Sequence, residues 1–419
     1  MSGLPVTSTT PASPAAGPAD IRQRAPRPPE AARALLRAVF WVSFPLGILN
    51  FVLPIYGREL GASAVQVGGF FSALSVVPVL IRPFLGRILD RWGRRPFLLV
   101  GLAGYAVAMT VFAIADQVWL LTLGMFLQGM GQAFLWLTAM TVVADVATAT
   151  GRGQNFGLLD EATNRGAIVG SSIGMGGLIL SQIHPEVPFE QAWRLMFLGY
   201  IGAAAVALWH AWRGVPETRP QAIDHAVERK PFSAQLGALM GIVFVTGASA
   251  MMVWPLLMIY LQDALAAGPA DLALAYLPAA VISSILPSRT GFLADRFGRR
   301  GLMSLGLVVG AGASALMPHL GSVLALAALW AVESVGYAAS VPAERAFVAD
   351  IAGRDTRGAS YGLYTFAYYL GAALGPLAGG WLYDNVGAEM PFYLNSTVLL
   401  LGALLVWSVL REATPRARP

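Results

Sequence analysis

Long, almost uncharged stretches recur along the whole chain. They fall at roughly 38–56, 66–85, 97–115, 119–143, 156–180, 193–212, 234–261, 271–288, 301–318, 322–346, 361–383 and 391–410. A helix of about 20 apolar residues crosses a bilayer because it satisfies its backbone hydrogen bonds internally. The pattern predicts twelve transmembrane helices, with short polar connections between them. One connection is longer, about Arg213 to Ser233, and divides the chain in two. The expected organisation is a disordered cytoplasmic tail (1–33), a six-helix bundle (34–212), a cytoplasmic linker (213–233), a second six-helix bundle (234–411) and a short tail (412–419).

Composition agrees with this reading. Only 12% of residues are charged against 56% hydrophobic, half the charge of ordinary globular chains, which is about 25%. Of the 28 basic residues 27 are arginine, and nearly all fall in alternate loops, leaving Arg58 and Arg194 on the other side. Such a bias places both termini in the cytoplasm of a plasma (inner) membrane protein. It also accounts for the basic balance without any nucleic acid. With no cysteine and four scattered histidines, neither a disulfide framework nor a metal site is expected. No nucleotide-binding loop or nucleophile constellation appears, so neither an enzyme nor a cofactor is expected, and the expected state is a monomer in the lipid bilayer.

The two halves repeat. At a constant offset of 205 residues, Gly86-Arg-Ile-Leu-Asp90-Arg91-Trp-Gly93-Arg94-Arg95 lies over Gly291-Phe-Leu-Ala-Asp295-Arg296-Phe-Gly298-Arg299-Arg300, identical at six positions of ten. The same register sets Asp145, Arg152, Gly153, Gly157, Gly166, Gly170 and Gly174 over Asp350, Arg357, Gly358, Gly362, Gly371, Gly375 and Gly379. A register held so long marks duplicated halves, a recurring plan of transporters that bind at the interface between repeats.

The loop Gly-x-x-x-Asp-Arg-x-Gly-Arg-Arg, present after spans 2 and 8, resembles the signature of the major facilitator superfamily. Val215-Pro-Glu-Thr-Arg219 after span 6 extends the resemblance. It implies an all-α fold of two pseudo-symmetric six-helix bundles that rock about a central cavity. Gly93 and Gly298 suit tight reversals. The resemblance further implies that Asp90 and Asp295 gate, each meeting the positive N-terminal end of a helix in the other half, span 11 or span 5. Alternatively these charges only fix topology. Span 11, with Gly371-x3-Gly375-Pro376-x2-Gly379-Gly380, looks like the superfamily's antiporter motif, although that motif belongs to span 5, where Ser171 and Met175 stand here instead. Close helix packing accounts for the same glycines. Drug–proton antiporters carry an arginine in span 4 three residues before Gln-Gly; here Met125 precedes Gln128-Gly129.

Charges within hydrocarbon are costly and mark function by default. Glu333 falls near the middle of span 10, and its mate in the repeat is Gln128. It is the leading candidate for a proton carrier, with Asp160 and Glu161 in reserve. In span 5, Asp160, Glu161, Asn164 and Arg165 share one helical arc opposite the glycines. Glu161 and Arg165, spaced i, i+4, form either a structural ion pair or a site in which Arg165 anchors an anionic substrate. Asn50, Gln128, Gln132, Trp254, Tyr337, Tyr364 and Tyr368 complete the candidate cavity. Spans 3, 9 and 12 hold no charge and are expected at the lipid periphery.

Two functions follow from the resemblance and these residues. One is proton-coupled efflux of a small amphipathic molecule. The other is a symporter or uniporter for a sugar or organic anion. A membrane receptor is a third class, and the lack of a large soluble domain counts against it.

Overall fold

The computed structural model describes residues 30–146, 152–183, 186, 188–218, 233–286, 298–351 and 357–411. The expected linker core (219–232), the C-terminal tail and the signature residues Gly291, Asp295 and Arg296 lie outside the described residues, as do residues 1–29 and the side chains of Gly86 and Asp90.

Among the described residues the chain forms twelve helical spans and no strand. In the first half they are α1 (Glu30–Glu59, in two segments that meet at Ser43), α2 (Ala64–Trp92), α3 (Arg95–Ala113), α4 (Val118–Val146), α5 (Arg152–Ile183) and α6 (Phe189–Gly214). The second half holds α7 (Ala234–Leu265), α8 (Pro269–Ile285), α9 (Arg299–Leu316), α10 (Val323–Ile351), α11 (Arg357–Asn385) and α12 (Met390–Val409). Nine of these are long and apolar enough by themselves to cross a membrane; α5, α8 and α11 are the others. The chain is a polytopic α-helical membrane protein.

One boundary differs from expectation. Helix α1 takes in Glu30–Arg33, four residues assigned above to the tail. The reason is local: Glu30-Ala-Ala-Arg-Ala-Leu-Leu-Arg is rich in strong helix formers, Glu30 sits at the positive helix start, and Ala32 and Leu35 are buried.

Within the first half, α1 packs on α5 and α6, and α4 packs on α2 and α3. The second half repeats this: α7 on α11 and α12, α10 on α8 and α9. Water supplies no drive for these contacts in lipid, so close approach and buried polar links do the joining. In the first half Trp193 donates to the Phe112 carbonyl at 2.7 Å and Tyr56 to the Ala115 carbonyl at 2.8 Å. In the second half a buried chain crosses three helices: Ser249 donates to Asn395 at 2.6 Å and Asn395 to Ser314 at 2.9 Å. The glycines opposite the polar arc of α5 pack on α1, with Gly166 against Phe40 and Gly170 against Phe44. Their counterparts Gly371, Gly375 and Gly379 pack on Ala248 and Met252 of α7.

Gly375 allows backbone contact: a methyl group there would run into the Ala248 carbonyl, whereas one at Gly237 would meet open space. Gly375→Ala is therefore expected to lower the unfolding temperature of the purified protein, by an overpacking cost of about 1–3 kcal/mol. Gly237→Ala is expected not to. Equal melting curves for the two variants would contradict the packing described.

Candidate functional site

The halves meet chiefly through α2 and α11, with α1 and α2 also touching α7. At the end carrying the α1–α2, α7–α8 and α11–α12 turns, this contact is tight. A side-chain carbon on Gly68 would run into the Pro376 carbonyl, and one on Gly380 into the Ala64 carbonyl. The Asp384 carboxylate accepts from the backbone N–H groups of Ala64 at 3.1 Å and Val65 at 2.8 Å. It thus caps the positive N-terminus of α2 from the opposite half, beside the Ser63–Gln66 capping box. Nearby, Arg58 Nη2 donates to both oxygens of Asp263, at 2.8 and 2.6 Å, and Tyr383 donates to the same carboxylate at 3.0 Å. Arg58 and Asp263 are 205 residues apart, so they are mates in the repeat, with opposite charges. This end is sealed.

Between the halves lies a cavity of about 530 Å³. It is lined by residues of both bundles, among them Arg82 of α2, Gln132 and Trp136 of α4, Asp160 and Thr163 of α5, Glu333, Tyr337, Glu344 and Arg345 of α10, and Tyr364, Tyr368 and Tyr369 of α11. Its extent is one-sided. The lining stops at Met251 in α7, fourteen residues before that helix ends at Leu265, some 20 Å of helix at about 1.5 Å per residue. Toward the other end it reaches Asp160, eight residues into α5, and Arg345, six residues before α10 ends. Glu333 is the charged lining residue nearest the sealed end, ten residues into α10. Its carboxylate has no hydrogen-bond or ion-pair partner among the described residues. Arg345 follows Glu344 in the chain and lines the same cavity as Asp160. No group of side chains among the described residues is arranged to hold a metal ion.

The cavity brings together Gln132, Asp160, Glu333, Tyr337, Tyr364 and Tyr368 of the sequence candidates. Others lie elsewhere. Glu161, Asn164 and Arg165 are exposed and not among the lining residues; Arg165 pairs with Glu161. Asn50 donates to the Leu46 carbonyl one turn back, at 3.3 Å. Gln128 is buried, and its Oε1 has no partner. Trp254 packs edge-on against Trp330. Nor are α9 and α12 wholly peripheral, since Gly306, Leu307, Gly310 and Leu399 reach the cavity. Glycine-rich α9 lets this wall approach without adding charge. Arg58, Asp263 and Asp384 escaped the sequence reading. The offset that aligns Arg58 with Asp263 was a usable signal for the first two.

The signature loops are tied within their own halves. Arg94 Nε donates to Asp145 at 3.1 Å, and the matching pair Arg299–Asp350 repeats the contact in the second half. Glu217, from Val215-Pro-Glu-Thr, accepts from the backbone of Arg94 at 2.6 Å and Arg95 at 3.3 Å, capping α3. Arg95 and Arg300 each donate to a tryptophan carbonyl, Trp212 and Trp407. Gly93 and Gly298 have φ of +92° and +81°, the left-handed region that favours glycine. Arg91 is exposed.

The Arg58–Asp263 pair yields a direct test. Arg58→Asp or Asp263→Arg alone sets like charges face to face, and each should lower the unfolding temperature by the equivalent of about 1 kcal/mol. The double exchange should recover most of that loss. Additive losses would show that the pair contributes nothing to closing this end.

Comparison with known proteins agrees with the geometry. The model of the Major Facilitator Superfamily matches residues 35–239 and 239–419. The chain is 24% identical over 384 residues to multidrug resistance protein 1 of Bacillus subtilis (strain 168), covering 88% of this chain and 94% of that one. It is 25% identical over 384 residues to quinolone resistance protein NorA of Staphylococcus aureus (strain MRSA252), covering 88% and 93%. In structure it is similar to the nucleoside transporter NupG, with a TM-score of 0.70, 14% identity and coverage of 90% and 99%. Duplicated six-helix halves, the twice-repeated signature loop and a cavity between the halves place this chain in the major facilitator superfamily: it is a membrane transporter.

Proposed function

We propose that this transporter exports small amphipathic molecules in exchange for protons, by alternating access. The observation that carries the proposal is the partnerless carboxylate of Glu333 near the closed floor of a one-sided cavity. A carboxylate there, without a counter-ion to hold its charge, is poised to take up and release a proton as the cavity changes sides. The tyrosines and methionines of the lining offer apolar and aromatic surface to a substrate body, and two relatives at 24% and 25% identity bear the names of multidrug and quinolone resistance proteins.

Orientation follows from the arginine-rich loops. With both termini in the cytoplasm, the sealed end is the outer one and the cavity opens inward, ready to load from the cell interior. The sequence motifs that carry Asp90 and Asp295 belong to the arginine-rich, inner side, where closure would have to occur in the opposite state. Asp160 and Arg345 line the cavity near its mouth from opposite halves and carry opposite charges suited to meet there.

The test is accumulation of a panel of lipophilic fluorescent dyes in efflux-deficient cells. Wild type should lower accumulation, a protonophore should abolish the difference, and Glu333→Gln, at equal expression, should behave as the empty vector does. If wild type leaves every dye at the vector level, efflux of amphipaths is the wrong activity. If Glu333→Gln still excludes dye and remains protonophore-sensitive, Glu333 is not the proton carrier.

A further inference from the structure

Arg82 is a charged cavity residue that proton exchange leaves unused. It projects from α2 into the lining, with its guanidinium 4.0 Å over the ring of Tyr369 on α11 and Nη2 donating to that tyrosine's hydroxyl at 3.2 Å. Its Nε is buried and has no hydrogen-bond partner among the described residues. No carboxylate among the described residues pairs with it. The cavity's other arginine, Arg345, shares the lining with Glu344 and Asp160.

A guanidinium offers five N–H donors in a fixed planar fork, and one aromatic hydroxyl engages only part of it. A permanent charge within a membrane bundle is costly unless something complements it. Tyr369 supplies a ring face and a neutral oxygen, so the complementary anion is what the site lacks. The cavity is the route by which that anion can arrive.

We propose that Arg82 is an anion-binding residue of the substrate cavity, taking a carboxylate carried by the transported molecule. The inference rests on the reading of the cavity as a site for amphipathic substrates, and it adds a chemical class: amphipaths bearing an acidic group. The fork of Arg82 engages the carboxylate through two N–H groups, and the tyrosines pack against the apolar body. Because Arg82 stands on one half and Tyr369 on the other, a bound carboxylate also replaces a bond that joins them.

A matched pair of ligands tests this: a xanthene dye with a free carboxyl group and its methyl ester, titrated against purified protein by fluorescence polarisation. Wild type should bind the acid, and Arg82→Gln should weaken the acid roughly tenfold or more, the loss of a charged hydrogen bond, while leaving the ester unchanged. Arg82→Lys should keep part of the acid affinity. Tyr369→Phe, which retains the ring, should keep the preference for the acid. Equal acid binding by wild type and Arg82→Gln overturns the proposal. So does a parallel loss of acid and ester, or a Tyr369→Phe variant that reproduces Arg82→Gln, since either makes Arg82 a tie between α2 and α11. Wild type that binds the ester alone also refutes the role of Arg82, with the amphipath reading intact. Wild type that binds neither dye removes that reading itself.

Discussion

Helices α2 and α11 pass within backbone contact of one another, and the one-sided shape of the cavity depends on that contact. Gly68 lies against the Pro376 carbonyl and Gly380 against that of Ala64, so two backbones occupy space that side chains would otherwise fill. Packing this close is the main source of attraction between helices in lipid. Polar groups then fix it. Asp384 satisfies two of the backbone N–H groups that every helix start leaves open, and Arg58 reaches Asp263 across the repeat. Once the halves are joined at this end, the polar faces of α5, α10 and α11 enclose a hollow toward the other.

The repeat explains why the closure is at one end only. Its offset pairs Pro376 with Ser171 and Gly380 with Met175. In α11 the proline carbonyl and the bare glycine allow the approach to α2. In α5, Ser171 packs against Gly47 of α1 within its own half, and contact with α8 is slight. Two nearly equivalent interfaces have been given unequal residues, so one is tight while the other is loose. Among the described residues, the signature arginines Arg94, Arg95, Arg299 and Arg300 make their contacts within their own halves. Arg94–Asp145 and Arg299–Asp350 tie α3 to α4 and α9 to α10 at the loop end of each half. The alternating access proposed above needs both features: halves held together internally and an interface of modest strength.

Much of this was legible in the residues. The number of spans, the duplication and the family follow from apolar runs and a repeated ten-residue loop, since bilayer thickness and backbone hydrogen bonding leave a chain few alternatives. Glu333 stood out because carboxylates in hydrocarbon are rare. The cavity's membership was harder to read. Glu161, Asn164 and Arg165 share an arc with Asp160, yet only Asp160 lines the hollow. Periodicity gives the arc, whereas helix rotation and the position of a neighbouring helix decide which part of it faces inward. Arg82 sits at the end of an apolar run, where an arginine reads as a topology signal. Only its contact with Tyr369 of the opposite half, within the cavity, separates it from the arginines of the loops. The sealing group Asp384 could not be read as a cap, because its partners at Ala64 and Val65 are remote in sequence.

The proposed alternating access requires two stiff halves that exchange one tight end for the other, and the chain's lack of cysteine makes this directly measurable. Spin labels on introduced cysteines, one pair spanning the halves at the sealed end and one pair at the opposite end, report both distances by pulsed electron resonance in lipid nanodiscs. Lowering the pH should lengthen one distance as it shortens the other, in the same proportion of molecules, and Glu333→Gln should hold the distribution fixed across that range. Ends that open independently, or a distribution that shifts with pH equally well in Glu333→Gln, would contradict it.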